Sequence, residues 1–60
     1  MLLGRVENYI KSRRMAPARF GREAVKDPKF VFQLREGREP RQRTVDRVLR
    51  YLDENQLEQG

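Results

Sequence analysis

The sequence predicts a small all-α protein of four helices, and three observations carry that prediction. Apolar residues recur at helical three- and four-residue spacing in four separate stretches, while no stretch alternates with a period of two over strand length. Asp27-Pro28 joins a strong helix-capping residue to the residue favoured at a first helical position. Sixty residues without cysteine make one domain at most. A chain this short buries only about 60% of the surface its unfolded form exposes. Lacking disulfide staples, it depends on well-packed helices, on oligomerisation, or on both.

The first helix is expected over about 2–13. Leu3, Val6 and Ile10 fall on one stripe with Leu2 and Tyr9 beside it, and the basic run Lys11-Ser12-Arg13-Arg14 suits a helix C-terminus. A second helix is expected over 17–25, opened by Pro17, with Phe20 and Ala24 on one face. The third is expected over 28–36, with Asp27 as its cap, Pro28 as its first residue and Gly37 as the left-handed residue that ends it. The fourth is expected over 44–54, capped by Thr44 and built on Val45, Val48, Leu49 and Leu52. From there periodicity fades, and 55–60 reads as a frayed acidic tail in which Leu57 is the one apolar residue that could support a dimer.

Composition narrows the function classes. The chain has 14 Lys and Arg against 9 Asp and Glu, a net charge of +5 and no His. That balance suits polyanions, nucleic acid before an acidic membrane surface or an acidic protein. Without His or Cys there is no zinc site of the usual kind, no His-based acid–base group and no activator for Ser12 or Thr44 as nucleophiles. Gly4, Gly21 and Gly37 are too dispersed for a phosphate-cradling loop. The expectation is a protein that is not an enzyme and uses no cofactor and no metal. No signal peptide is expected, because Arg5 and Glu7 interrupt the apolar N-terminus, and nothing approaches a membrane span. The expected location is therefore cytoplasmic and nucleoid-associated.

The stretch DPKFVFQLREGREPRQR, residues 27–43, concentrates the functional signal. Only a few residues around Val25-Lys26-Asp27 separate the second and third helices, which forces them to cross steeply as in a helix-turn-helix. On a helical wheel, Val31 and Leu34, with Phe30 beside them, turn inward. Lys29, Gln33 and Glu36 turn outward, and Phe32 also turns away from the core pair. Gln can pair bidentately with adenine and Lys can donate to guanine, so Lys29 and Gln33 are candidate base-reading residues. Phe32 has three open roles: core or dimer packing, contact with DNA, or binding a protein. Arg35, Arg38, Arg41 and Arg43 are candidate phosphate contacts, and Arg19 is a further one, with Lys11 or Arg13 as weaker companions.

From about Pro17 to Leu52 the chain resembles the lambda-repressor-like (XRE-type) helix-turn-helix proteins. The marks are Phe20-Gly21 in the second helix, Asp27-Pro28 at the start of the third, Val31 and Leu34 at its buried positions, Gly37 at its end, and Pro40 before a closing helix on Val45, Val48, Leu49 and Leu52. The resemblance implies an all-α domain that binds operator DNA, often as a homodimer, as a transcriptional regulator. It assigns base-edge contacts to Pro28, Lys29 and Gln33, with Phe30 or Phe32 as additions, and phosphate contacts to Arg35 and Arg38. The chain departs from the family at the joint, which has Val25-Lys26 in place of the usual Gly, and at Phe30 and Phe32, where small or polar residues are common. The expected partner is double-stranded DNA. The competing reading is a phage-type or toxin–antitoxin-type regulator that uses Phe30, Phe32 and the arginines to hold a protein partner.

Overall fold

Helical propensity and apolar spacing resolve into α1 (Leu2–Ser12), α2 (Pro17–Val25), α3 (Phe30–Arg35) and α4 (Gln42–Gln56) in the computed structural model, which describes residues 2–56. Among the described residues there is no strand. Residues 57–60, including Leu57, lie outside them.

Each of the first three helices ends in a residue with left-handed backbone. After α1, Arg14 has φ +52; its N–H donates to the Lys11 carbonyl at 3.3 Å, and the Met15 N–H donates to the Ile10 carbonyl at 2.9 Å. After α3, Gly37 has φ +94 and the same pair of bonds recurs, Gly37 to Leu34 at 3.0 Å and Arg38 to Gln33 at 3.1 Å. Both are Schellman closures, which satisfy carbonyls that the helix itself leaves free. After α2, Lys26 takes φ +60, and its N–H donates back to the Arg22 carbonyl at 3.1 Å. The joint thus makes the left-handed turn without glycine, at a backbone cost of roughly 1–2 kcal/mol for an L side chain.

Two helix starts differ from expectation. Asp27 does not stand at the N-cap of α3, which is Lys29 and has no side-chain cap bond; the Asp27 Oδ1 instead accepts the Lys29 N–H at 3.0 Å in the turn before the helix. The chain then turns through Pro28 and Lys29, with the Phe30 N–H on the Asp27 carbonyl at 3.1 Å, before regular α geometry begins at Phe30 instead of Pro28. A first turn closed by an i→i+3 bond is a common way into a helix. At the other end α4 opens at Gln42, two residues before the expected Thr44 cap. The Arg41 carbonyl accepts the Val45 N–H at 3.0 Å, and the Gln42 amide donates to Asp46 one turn on at 2.9 Å, so the added turn is bonded along both backbone and surface. The helix also continues to Gln56, past the expected end at 54.

The core draws on all four helices: Val6, Tyr9 and Ile10; Phe20 and Ala24; Phe30, Val31 and Leu34; Val48 and Leu52. Val45 and Leu49, expected beside Val48, are only half-buried. Tyr51, also on α4, packs against the core instead, in an aromatic cluster. Phe20 meets Tyr9 edge-on at 5.6 Å and Tyr51 at 5.3 Å, and the two tyrosines meet each other at 5.8 Å. Edge-to-face pairs of this kind contribute about 0.5–1.5 kcal/mol each beyond their buried area, so the cluster ties α1, α2 and α4 together.

The α2–α3 joint closes over Gly21. Its carbonyl accepts the Asp27 N–H at 3.0 Å, and a Cβ at position 21 would stand 2.2 Å from the Asp27 carbonyl oxygen. No side chain fits there. Glycine is what lets the turn pass directly across α2 and set α3 against it.

Candidate nucleic-acid interface

α3 divides its side chains between core and solvent. Phe30, Val31 and Leu34 are buried, whereas Pro28 and Lys29 in the entering turn, Phe32 on the helix and Glu36 just past it are exposed. Phe32 is 44% exposed, which excludes the core role left open for it. The guanidinium of Arg35 lies 5.8 Å from its ring centroid.

Gln33 sits at the border of that outward face. It is half-buried and lines a cleft of about 450 Å³ together with Phe30, Leu34, Arg38, Glu39, Arg41 and Thr44. The Schellman turn at Gly37 leads from α3 into the 38–41 loop, whose residues line the cleft with it. Gln33 and two of the expected phosphate-contacting arginines therefore share one concavity.

The five candidate arginines fall into two groups. Arg35 donates from Nε and Nη2 to the two carboxylate oxygens of Glu7 on α1, at 2.7 and 2.9 Å. That bidentate bond, together with the charge of Arg35, holds the Glu7 carboxyl below its ordinary value in spite of opposing desolvation. Arg19 donates to Glu23 one turn along α2 at 2.8 Å. Glu23 also accepts the Tyr51 hydroxyl at 2.8 Å, and the Arg19 bond first and the Tyr51 bond second lower its carboxyl. Arg38, Arg41 and Arg43 are exposed and join none of the ion pairs among the described residues. Arg43 stands in the first turn of α4, not in the preceding loop, because that helix begins at Gln42.

Arg13, a weaker candidate, is committed elsewhere. Its guanidinium lies 4.5 Å from the centroid of the Tyr9 ring and donates from Nη2 to the Asn55 carbonyl, bracing α1 against the end of α4. Two residues of consequence escaped the sequence, Glu7 and Tyr51. Each acts on a partner 28 positions away, and no local spacing announces such a bond. The Arg19–Glu23 pair, by contrast, has the i,i+4 spacing that a helical reading can find.

Among the described residues no three His, Cys, Asp or Glu side chains gather as a metal site would need, and no helix is long and apolar enough to cross a membrane. No family model, curated protein or solved structure matches the chain.

Proposed function

We propose that the chain is a sequence-specific double-stranded DNA-binding protein, a small lambda-repressor-like transcriptional regulator that lays α3 in the major groove. The observation that carries this is the position of α3: packed hard on α2 over Gly21, it keeps Pro28 and Lys29 exposed at its entrance. A helix about 10–12 Å across suits a groove about 12 Å wide. In that groove Lys29 offers a donor to guanine and Gln33 an amide to adenine, with Pro28 against the base edges beside them.

The flanking charge supports the same reading. The first turn of α4 contains no acidic residue, and Arg41 and Arg43 stand on either side of its start. Positive side chains add there to the positive end of the helix dipole, an arrangement suited to a phosphate. Arg38, Arg41 and Arg43 supply the phosphate contacts that fix register, while Arg35 and Arg19 take a lesser share because each must first leave a carboxylate.

Titration of the protein into labelled duplexes at stepped salt tests the proposal. Three phosphate contacts give a slope of log K against log salt of about −2.7, at roughly 0.9 per phosphate. Selection of bound fragments would then show a preferred site, and two half-sites about 10 bp apart would report a homodimer. Absence of any duplex binding at low salt, with a protein partner co-purifying, would overturn the proposal in favour of the interaction reading.

A further inference from the structure

We propose that Phe32 reads the C5-methyl group of a pyrimidine in the major groove, a specificity-determining contact that rests on the placement of α3 proposed above. Phe32 is the one large hydrophobic side chain exposed among the described residues, and it stands on the outward face of α3, three positions after Lys29. The core does not need it, since Phe30, Val31 and Leu34 already close the inward face. On one flank it has the Arg35 guanidinium, which Glu7 clamps through both carboxylate oxygens. The ring therefore has a fixed neighbour toward α1 and an open side toward solvent.

What a phenyl ring can gain in a groove is narrow. It has no hydrogen-bonding group, so it cannot read the donors and acceptors of base edges. Its negative face gains nothing from a phosphate. Exposed Glu36, one turn further along the same side, adds a carboxylate that repels phosphate, so this part of the face suits base edges and not the backbone. The apolar group on the major-groove edges is the pyrimidine C5-methyl, and Phe is among the side chains that contact it. Thymine carries that methyl in ordinary DNA, and 5-methylcytosine carries it in modified DNA.

The test uses the full chain and duplexes that it selects from a random pool. Each thymine of a selected site is replaced singly by deoxyuracil, which removes only the methyl, and affinity is measured at fixed salt. The expected result is one position, repeated in the second half-site of a dimer, where uracil weakens binding about fourfold, the equivalent of roughly 0.8 kcal/mol for one buried methyl. Phe32→Ala, with its helical circular dichroism intact, binds the thymine and uracil duplexes alike, and Phe32→Leu keeps part of the difference. Placing C·G and then 5-methyl-C·G at that position separates the two sources. Recovery by the methylated base shows that either pyrimidine's methyl serves, and recovery confined to thymine shows that thymine is the ligand. Equal binding of thymine and uracil at every position by the unaltered protein overturns the proposal, as does discrimination that survives Phe32→Ala. Failure to select or bind any duplex overturns the DNA-binding proposal itself, and this one with it.

Discussion

Glu7 on α1 holds Arg35 on α3 through two parallel hydrogen bonds, at 2.7 and 2.9 Å, between residues 28 positions apart. The fork geometry of guanidinium on carboxylate fixes direction as well as distance. It ties the exposed side of α3 to α1 where the apolar contacts stop, and it neutralises one of the cations at the proposed interface. Replacing Glu7 by Gln should therefore free Arg35 for phosphate. The expected outcome is tighter duplex binding at low salt and a salt slope steeper by about 0.9. Arg35→Ala should weaken binding less than Arg38→Ala, because Arg38 has no internal carboxylate to leave. Fluorescence anisotropy across a salt series checks both; an unchanged slope in Glu7→Gln would show that Arg35 stays away from the backbone.

Acid should loosen the fold from a predictable pH. The Glu7 and Glu23 carboxyls both lie below the ordinary value of 4.5, each chiefly through a hydrogen-bonded arginine. A carboxyl depressed in the folded state binds fewer protons there than in the unfolded chain, so stability is fully present above about pH 4.5 and is lost as pH falls through the folded-state values. Urea midpoints measured at steps from pH 6 to pH 3 should fall in that window. The decline should be shallower in the double variant Glu7→Gln with Glu23→Gln.

Gly21→Ala should damage the fold locally and severely. The new Cβ meets the Asp27 carbonyl oxygen at 2.2 Å, and that oxygen belongs to the backbone of the turn into α3, so no flexible side chain can swing aside. Overpacking of this kind costs about 1–3 kcal/mol. In a domain this small each kcal/mol lowers Tm by roughly 4–8 °C. Thermal unfolding followed by circular dichroism checks it, and an unchanged Tm would mean that the α2–α3 joint is looser than the 3.0 Å bond from Asp27 N–H to the Gly21 carbonyl implies.

Lys26→Gly should act in the opposite direction. Lys26 holds φ +60 at the end of α2, a conformation glycine adopts freely. Relief of the left-handed strain outweighs the added freedom of the unfolded chain, for a net gain of about 0.5–1 kcal/mol. Chemical denaturation should show a higher midpoint at an unchanged m-value.

The contrast between Gly21 and Lys26 shows which parts of the fold were legible in the sequence. Four helices, the Gly37 stop and the inward set Phe30, Val31 and Leu34 follow from spacings of one to seven residues, and a linear reading contains those spacings. Gly21 was legible only as a mark of the family resemblance; that its missing side chain lets two backbones touch is seen in the fold. Lys26 and Arg14 were not legible: their left-handed turns are imposed by the packing of the next helix, which overrides the preference of the residue. At the candidate site the residue types could be read but their commitments could not. Nothing near Arg35 in the chain points to Glu7, and nothing near Gln33 points to the cleft it shares with the 38–41 loop.

Tyr51 separates packing from hydrogen bonding in a single side chain. Its ring meets Phe20 at 5.3 Å and Tyr9 at 5.8 Å, and its hydroxyl donates to Glu23 at 2.8 Å. Tyr51→Phe removes only the hydroxyl and should cost about 0.5–1.5 kcal/mol, since Arg19 still satisfies Glu23. Tyr51→Leu forfeits both edge-to-face contacts, each worth about 0.5–1.5 kcal/mol, and should be clearly the worse of the two. Burial first, and then the neighbouring Tyr9 and the hydrogen bond to the Glu23 carboxylate, push the Tyr51 hydroxyl well above the ordinary tyrosine value of 10.0. The unfolded chain then releases its proton before the folded one does, so this contribution is complete below pH 10 and is lost as pH rises beyond it. Tyrosinate absorbance should accordingly show Tyr51 ionising only as alkali unfolds the protein, and the alkaline loss of stability should diminish in Tyr51→Phe. A hydroxyl that titrates freely near pH 10 in the folded protein would show that Tyr51 faces solvent and does not join α4 to α2.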